Sequence, residues 1–396
     1  MNWTFKHIVT SLLCCTLLFT QTNAQEKIDL NKVIKVASTQ YRHAVNEYKD
    51  STKIPRSTKP DGTLFTVTSK DWCSGFFSGS LWLLYDLTKD DFYKNAAIKW
   101  SVAIEKEQYN ITTHDLGFMM YIPFGAAYKD TKSEAYKSII IQSAKSLATR
   151  FHPKVGLIKS WDGGRFNYPV IIDNMMNLEL LFEASKLTGD DSYRQIAIKH
   201  AYKTIENHFR KDYSSYHVVN YDSLTGKVIK KQTHQGYSDE SAWARGQTWG
   251  LYGYTMMYRY TKDEKYLDQA NHIADFIMNH PDYPKDGVPY WDFNDPKIPN
   301  TYRDASAGAV MASALLELKN YVGKEKGKKY FKQAEKILTT LSTPEYLASN
   351  GNGNFIIKHC VGNWPNGKAT GEIDAAINYG DYYYLEALKR YKEAKK

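Results

Sequence analysis

Residues 174–209, NMMNLELLFEASKLTGDDSYRQIAIKHAYKTIENHF, contain the pattern that decides the fold. The first part, Asn174–Leu187, is apolar on nearly every side, which is typical of a buried helix. A polar Thr-Gly-Asp turn follows at 188–190, and Tyr193–Phe209 then alternates apolar residues with lysine and glutamate at helical spacing. The stretch predicts a helical hairpin that pairs a buried helix with an outward-facing one.

The same hairpin recurs along the chain. Six helices that are apolar nearly all round are predicted at Gly75–Leu87, Leu116–Tyr128, Asn174–Leu187, Ala244–Tyr260, Ala305–Tyr321 and Ala375–Tyr391. Six amphipathic partners are predicted at Leu30–Tyr48, Phe92–Glu107, Glu134–Arg150, Tyr193–Phe209, Lys265–His280 and Tyr330–Leu341. This alternation predicts an all-α (α/α)6 toroid whose inner helices surround a central pocket. A superhelical solenoid is the alternative stacking.

The connections indicate where the function lies. Turns from inner to outer helices are short, whereas the return connections 151–172, 210–241, 281–304 and 343–373 are long. The long loops must gather at one rim with the N-termini of the inner helices, whose positive dipole ends favour an anionic ligand. Acidic residues stand at or near these N-termini: Asp71, Asp115, Asp173, Asp239, Asp304 and Asp374. Several of them are expected to be helix caps only.

The first 24 residues have the pattern of a secretory signal peptide. A basic start that includes Lys6 precedes the apolar run 8–20, and a small-residue cleavage pattern ends at Ala24. We expect residues 25–396 to form a single (α/α)6 domain, because no Pro/Ser-rich linker divides them. The signal peptide predicts that this domain lies in the periplasm. No other stretch is long and apolar enough to predict a membrane span.

Charge and cysteine content restrict the partners. The net charge is +9, and loss of the leader lowers it by one, so acidic ligands are favoured. Nucleic acid is not expected, since the lysines are scattered over the outer helices and no nucleic-acid motif occurs. An acidic saccharide fits better with 31 Tyr and 9 Trp. Cys73 and Cys360 remain after cleavage, either as a disulfide or as buried free thiols.

Asp173 is the candidate for the chemical centre. It follows an aromatic, Gly-rich loop at 161–169 and precedes an apolar helix, and loops of this kind tend to be functional. In a toroid the helix that begins after Asp115 is the neighbour of the helix that begins after Asp173. The carboxylates of Asp115 and Asp173 are therefore predicted to face one pocket. Such a pair lets one carboxyl act as acid and the other as base, as glycoside chemistry requires. Two structural caps are the alternative.

A second dense motif leads into the fourth inner helix. Arg245 and Trp249 are four residues apart and therefore share one helical face. Arginine binds carboxylates bidentately and tryptophan stacks on sugar rings, so the pair is predicted to clamp a uronate. The alternative is that Arg245 neutralises Asp239 or Glu240 while Trp249 lies in the core.

Two further observations concern single residues and missing motifs. His217 is predicted in a short strand, where a lone histidine is either a site residue or a satisfied core group. The sequence has no HExxH, paired CxxC, EF-hand or Walker motif, so it predicts neither a metal nor a phosphate site.

The motifs HDLGF (114–118), IDNMMN (172–177), HQG (234–236), SAWARGQ (241–247) and YGDYY (379–383) together resemble the unsaturated glucuronyl hydrolases of glycoside hydrolase family 88. The resemblance covers roughly residues 35–392. It implies an (α/α)6 fold, an acidic unsaturated oligosaccharide as substrate, and no cofactor. Members of that family hydrate the 4,5-unsaturated uronic acid that polysaccharide lyases leave at a non-reducing end, and this releases the next sugar.

The resemblance also implies roles for individual residues. Asp173 would protonate C4 and then activate the water that adds at C5, while Asp115 would bind ring hydroxyls and keep Asp173 protonated by like-charge coupling. The other substrate-binding residues that it implies are Trp72, His114, Trp161, His217, Gln235, Arg245 and Trp249. Asn363, Asn366 and Lys368 stand where members that prefer 6-O-sulfated disaccharides have two serines and a lysine, so the sequence leaves the sulfate preference open.

Three other functions fit part of the pattern. A rhamnogalacturonyl or ulvan-type hydrolase would release the same uronate from other polysaccharides. A sugar epimerase on this toroid would use His217 and His234 as paired bases. A periplasmic saccharide-binding protein would use the tryptophans and Arg245 without needing the two aspartates.

Overall fold

The computed structural model describes residues 28–366 and 371–396. The predicted signal peptide, residues 1–24, lies outside the described residues, as does Lys368. None of the helices in the described part combines the length and the apolarity that crossing a bilayer requires.

Six helical segments form the inner ring. In chain order they are α2 (Gly75–Thr88), a π-helix (Gly117–Gly125) that continues as α4 (Ala126–Thr131), a 3-10 helix (Ile172–Asn177) that leads into α6 (Glu179–Thr188), α8 (Ala244–Thr261), α10 (Ala305–Leu318) and α12 (Asn378–Ala394). Most of their side chains are buried on every side, as their continuous apolar sequences predict.

Six amphipathic helices surround this ring. They are α1 (Leu30–Glu47), α3 (Asp91–Val102), α5 (Glu134–Ala148), α7 (Asp191–His208), α9 (Glu264–Asn279) and α11 (Lys324–Leu341). The last inner helix, α12, packs against both α10 and α2, so the inner ring closes on itself. This closure confirms the (α/α)6 toroid and excludes an open solenoid, whose first and last repeats would not meet.

Two inner helices begin with non-α backbone, which the sequence pattern does not predict. The second is π-helical from Gly117, and the third begins as a 3-10 helix at Ile172. Each irregularity lies at a candidate catalytic aspartate, since Asp115 precedes the π-helix and Asp173 lies within the 3-10 turn. Such local departures from α-geometry are frequent at functional sites.

Three other predicted boundaries were wrong. The last inner helix begins at Asn378 and not at Ala375, because Ala375 and Ile377 form β-bridges with Cys360 and Ser57. The predicted outer helix from Phe92 ends at Val102, before a separate 3-10 helix at Glu105–Tyr109. The predicted outer helix from Tyr330 already begins at Lys324.

Short strands interrupt the all-α pattern in the rim loops and before α2. Two antiparallel pairs are β1 (Ile54–Thr58) with β2 (Leu64–Val67) and β3 (Phe151–His152) with β4 (Leu157–Ile158). A three-stranded sheet contains β5 (Tyr168–Ile171), β6 (Val218–Tyr221) and β7 (Val228–Gln232). Its register pairs Ile171 with Val218, and the Ile172 N–H donates to the His217 carbonyl at 3.1 Å. The sheet therefore places His217 beside Asp173.

One of the rim acids is a helix cap, and both cysteines are free thiols. Asp304 caps α10 by accepting from the backbone N–H groups of Ser306 and Ala307, so at least one of the predicted acids is a cap. Cys73 and Cys360 are both buried free thiols, so they do not form a disulfide.

The end of the ring opposite the long loops contains a cavity of about 660 Å³. Its lining includes Trp82, Tyr121, Arg259, Tyr382, Glu386 and Arg390. Phe118 and Tyr383 also line it, and both rings contact the fully buried Trp249. A layer of aromatic rings thus closes the bottom of the rim pocket.

Substitution of inner-ring glycines by alanine should destabilise the protein only where two helices approach too closely for a Cβ atom. A Cβ at Gly75 would lie 2.2 Å from the Phe118 carbonyl oxygen, so Gly75→Ala must push the π-helix away, and we expect it to cost about 2 kcal/mol or more. A Cβ at Gly308 would meet its nearest neighbour at 3.5 Å, so Gly308→Ala is expected to stabilise by about 0.5–1 kcal/mol. Urea unfolding midpoints measure both effects, and equal losses would contradict this packing.

Candidate active site

Asn177 joins the two helix starts that carry the candidate aspartates. Its Oδ1 accepts from the Phe118 backbone N–H at 2.9 Å, and its Nδ2 lies 3.5 Å from Asp115 Oδ1. A Cβ at Gly117 would lie 2.6 Å from the Asn177 Cα, so the close approach requires glycine there. The starts of the second and third inner helices, which carry Asp115 and Asp173, are therefore in contact. That the two carboxylates face one pocket stays a prediction.

The Asp115 carboxylate is surrounded by donors. Thr113 Oγ1 donates to Oδ2 at 2.8 Å, and His114 Nε2 lies 3.3 Å from Oδ1. Burial raises the pKa of Asp115 to about 7, while the contacts of Thr113 and Asn177 oppose that rise. Because both oxygens meet donors, this carboxyl is prepared to hold a negative charge.

The Asp173 carboxyl has a different environment. Its Oδ2 is buried and has no hydrogen-bond partner among the described residues. Its pKa is raised to about 7, chiefly by burial; the charge of Arg245 opposes this rise and the charge of Asp115 adds to it. Asp173 thus differs from Asp115 in having a buried carboxyl oxygen that no donor meets among the described residues.

His217 directs a proton at this carboxyl. Its Nδ1 accepts the backbone N–H groups of His234 at 3.1 Å and Gln235 at 3.0 Å, so Nδ1 carries no proton. Burial lowers the pKa of His217 well below its usual value, so the ring is neutral and its proton is on Nε2. That Nε2 lies 3.6 Å from Asp173 Oδ2. His217 therefore lies beside Asp173, and the loop after β7 sets its tautomer.

The structure changes the predicted role of Arg245. Its Nη1 donates to Asp304 at 2.9 Å and to the Val361 carbonyl, and its Nη2 donates to Gln235 Oε1 at 3.0 Å and to the Gly362 carbonyl. With these donors used inside the protein, a bidentate grip on a uronate is not available in this conformation. The alternative partners were also wrong, because Asp239 pairs with Lys230 and Glu240 with Arg210.

Trp249 does not offer a stacking face. It is fully buried between Phe118 and Tyr383, so the predicted stacking on a sugar ring is wrong. Its indole N–H lowers the pKa of Asp173. The physical reason is that the fourth inner helix is buried on all sides, including the face that Trp249 shares with Arg245.

The remaining predicted residues differ in exposure and in how much of their surroundings the structure describes. Trp72 and Trp161 are half-buried, and Trp161 lies 5.9 Å from the exposed His234 ring. Asn363 is half-buried and its Oδ1 has no partner among the described residues. Asn366 ends a short 3-10 turn, and Lys368 lies outside the described part.

Sequence reasoning missed Thr113 and Asn177 as partners of Asp115. A usable signal exists for each of them. Thr113 lies two residues before Asp115, where a hydroxyl often bonds the local backbone or a side chain. Asn177 lies four residues after Asp173, so a helix places it on the same face.

Within the described residues, no group of three or more His, Cys, Asp or Glu side chains is arranged for a metal ion. The chemistry that this geometry supports is proton transfer by a buried carboxyl pair.

The comparison with known proteins agrees with this geometry. Residues 39–394 match the profile of Glycosyl Hydrolase Family 88. The chain belongs to this family and is a glycoside hydrolase. It is 48% identical over 377 residues to an unsaturated glucuronyl hydrolase of Formosa agariphila, with 94% of this chain and 92% of the relative covered. It is 32% identical over 380 residues to an unsaturated chondroitin disaccharide hydrolase of Streptococcus pyogenes, with 94% of each covered.

Solved structures extend the comparison to three dimensions. The crystal structure of an unsaturated glucuronyl hydrolase specific for heparin superposes with a TM-score of 0.89 at 50% identity, covering 92% of this chain and 97% of that one. The enzyme from Bacillus sp. GL1 gives 0.85 at 31% identity, covering 91% and 96%. These likenesses agree with the closed ring described above.

Replacement of the buried acid should change how stability depends on pH. The pKa of Asp173 is about 7 in the folded chain and about 3.9 in an unfolded one. Between these values only the unfolded state releases the proton, so wild-type stability falls relative to Asp173→Asn as pH rises, and the difference levels off above about pH 7. We expect the gain in Tm to be several degrees larger at about pH 8 than at about pH 4.5. Asp268→Asn, on the exposed face of α9, is the control. A difference in Tm between Asp173→Asn and wild type that is the same at both pH values would contradict the raised pKa.

Proposed function

We propose that this hydrolase removes the 4,5-unsaturated uronic acid from the non-reducing end of lyase-generated glycosaminoglycan oligosaccharides by hydration of the C4=C5 bond. The observation that carries the proposal is the buried pair of Asp115 and Asp173, of which only Asp173 presents an unpartnered oxygen. Relatives support it: one is described as specific for heparin, and one from Streptococcus agalactiae forms a complex with dGlcA-GalNAc6S.

The geometry supports a two-step proton transfer. Protonated Asp173 gives its proton to C4, and the positive charge that develops at C5 and the ring oxygen is stabilised by the Asp115 carboxylate. Asp173, now ionised and faced by the His217 N–H, then takes a proton from the water that adds at C5. The resulting hemiketal opens and releases the next sugar, so Asp173 ends the cycle protonated.

The setting of the reaction is also proposed. The apolar run 8–20 and the small residues up to Ala24 support export and cleavage after Ala24, which would place the enzyme in the periplasm. The positive net charge supports an acidic saccharide as partner, since it attracts anionic substrates over a distance.

Loss of the ultraviolet absorbance of the conjugated double bond tests the proposal directly. With unsaturated chondroitin, hyaluronan and heparin disaccharides, we expect Asp173→Asn to lower kcat at least 1,000-fold, because the only group that transfers the proton is gone. Asp115→Asn should lower it about 100-fold or more, because it removes one stabilising charge. Asp268→Asn on the outer surface is the control. Persistent absorbance with wild type on all three substrates would refute the proposed substrate class.

The pH profile provides a second test. Turnover needs Asp173 in its protonated form, and its pKa is about 7. We therefore expect kcat/KM to fall about tenfold per pH unit above about pH 7. The substrate carboxylate stays ionised throughout this range, so it does not contribute to the fall. A rate that stays flat to about pH 9 would contradict the role of Asp173 as acid.

A further inference from the structure

A second pocket lies on the rim. It has a volume of about 400 Å³ and is lined by Lys297, Pro299, Asn300, Thr301, Tyr302 and Trp364. The indole ring of Trp364 lies 5.0 Å from the Tyr302 ring and 5.5 Å from the buried Trp291 ring. Tyr302 is 38% exposed, which is unusual for so large a side chain in this protein. Adjacent, partly exposed aromatic rings are a surface on which a sugar ring can stack.

The loop that forms this pocket is rigid before any ligand arrives. The Asp295 carboxylate accepts the Trp291 indole N–H at 2.6 Å, the Lys297 backbone N–H at 2.9 Å and the Thr301 hydroxyl. These bonds use the Asp295 carboxylate inside the loop. They leave the Lys297 side chain exposed as the only charged group among the described residues that line the pocket. A pre-organised pocket with one cation favours an anionic ligand at low entropic cost.

The pocket is connected to the catalytic centre through Arg245. Tyr302 lies two residues before Asp304, and Trp364 lies two residues after Gly362. Both Asp304 and the Gly362 carbonyl accept from Arg245. Arg245 also holds Gln235, whose backbone N–H binds His217 beside Asp173. One buried guanidinium therefore links the loops of this pocket to the pair of His217 and Asp173.

We propose that this pocket binds the second sugar on the leaving-group side of the cleaved bond, and that Lys297 recognises a carboxylate on that sugar. The inference rests on the proposed function. Glycosaminoglycans alternate uronic acids with amino sugars, so the third ring from the non-reducing end of a lyase product is again a uronate. Its ring stacks on Trp364 and Tyr302, and its carboxylate pairs with the Lys297 ammonium. A disaccharide ends before this pocket, whereas a tetrasaccharide reaches it.

Paired kinetics on one disaccharide and one tetrasaccharide of the same glycosaminoglycan test the subsite. We expect Trp364→Ala to raise KM for the tetrasaccharide about tenfold and to leave KM for the disaccharide within about twofold. Lys297→Ala should raise the tetrasaccharide KM about fivefold, and Lys297→Arg, which keeps the charge, should restore it. Lys332→Ala on the exposed face of α11 is the matched control for loss of a surface cation. Thermal unfolding of each variant checks that the fold is intact.

The outcomes separate this inference from the proposed function. Unchanged tetrasaccharide KM in both alanine variants overturns the subsite, and so does a parallel rise for the disaccharide. A Lys297→Ala effect that Lys297→Arg does not restore overturns the recognition of a carboxylate. If wild type leaves the double bond of the disaccharide intact, the result refutes the proposed function itself, on which the subsite rests. Disaccharide turnover in wild type together with a selective tetrasaccharide defect supports both.

Discussion

The buried guanidinium of Arg245 is the interaction on which the rest of the site depends. A cation that is 1% exposed is tolerated only if its charge is paired and its donors are used. Arg245 pairs its charge with Asp304 and uses both Nη groups on Asp304, Gln235 and two carbonyls of the late loop, while its Nε has no partner among the described residues. It therefore ties α8 and the N-terminus of α10 to two rim loops. Arg245 holds Gln235, whose backbone N–H orients His217, and it also holds the Gly362 carbonyl two residues before Trp364.

The two carboxyls show how their surroundings distinguish two residues of one type. Burial raises the pKa of both Asp115 and Asp173 to about 7. Their hydrogen bonds then distinguish them, because Asp115 accepts from Thr113 and Asn177 while Asp173 keeps an oxygen without a partner among the described residues. The irregular helix starts lie at these two residues, since Asp115 precedes the π-helix and Asp173 lies within the 3-10 turn.

Much of the fold and part of the site followed from local sequence. Apolar residues on nearly every side identified the inner helices in the sequence. The alternation of inner and outer helices then predicted that the helix starts at Asp115 and Asp173 are neighbours. The partner of Arg245 did not follow, because Asp304 is 59 residues away and only packing brings it close. Helical spacing also placed Trp249 correctly beside Arg245 but could not show that this face is buried. Non-α backbone escapes such patterns because it depends on contacts between helices.

The aromatic floor formed by Phe118, Trp249 and Tyr383 has a topological consequence. With that floor in place, the rim pocket is a dead end, although a separate cavity exists beneath it. A polymer cannot thread through a dead end, so only a chain terminus can reach Asp173. The released monosaccharide must leave by the way it entered, after the rest of the chain has moved out. Such a pocket admits only the terminal sugar of a chain and cannot cut the chain internally.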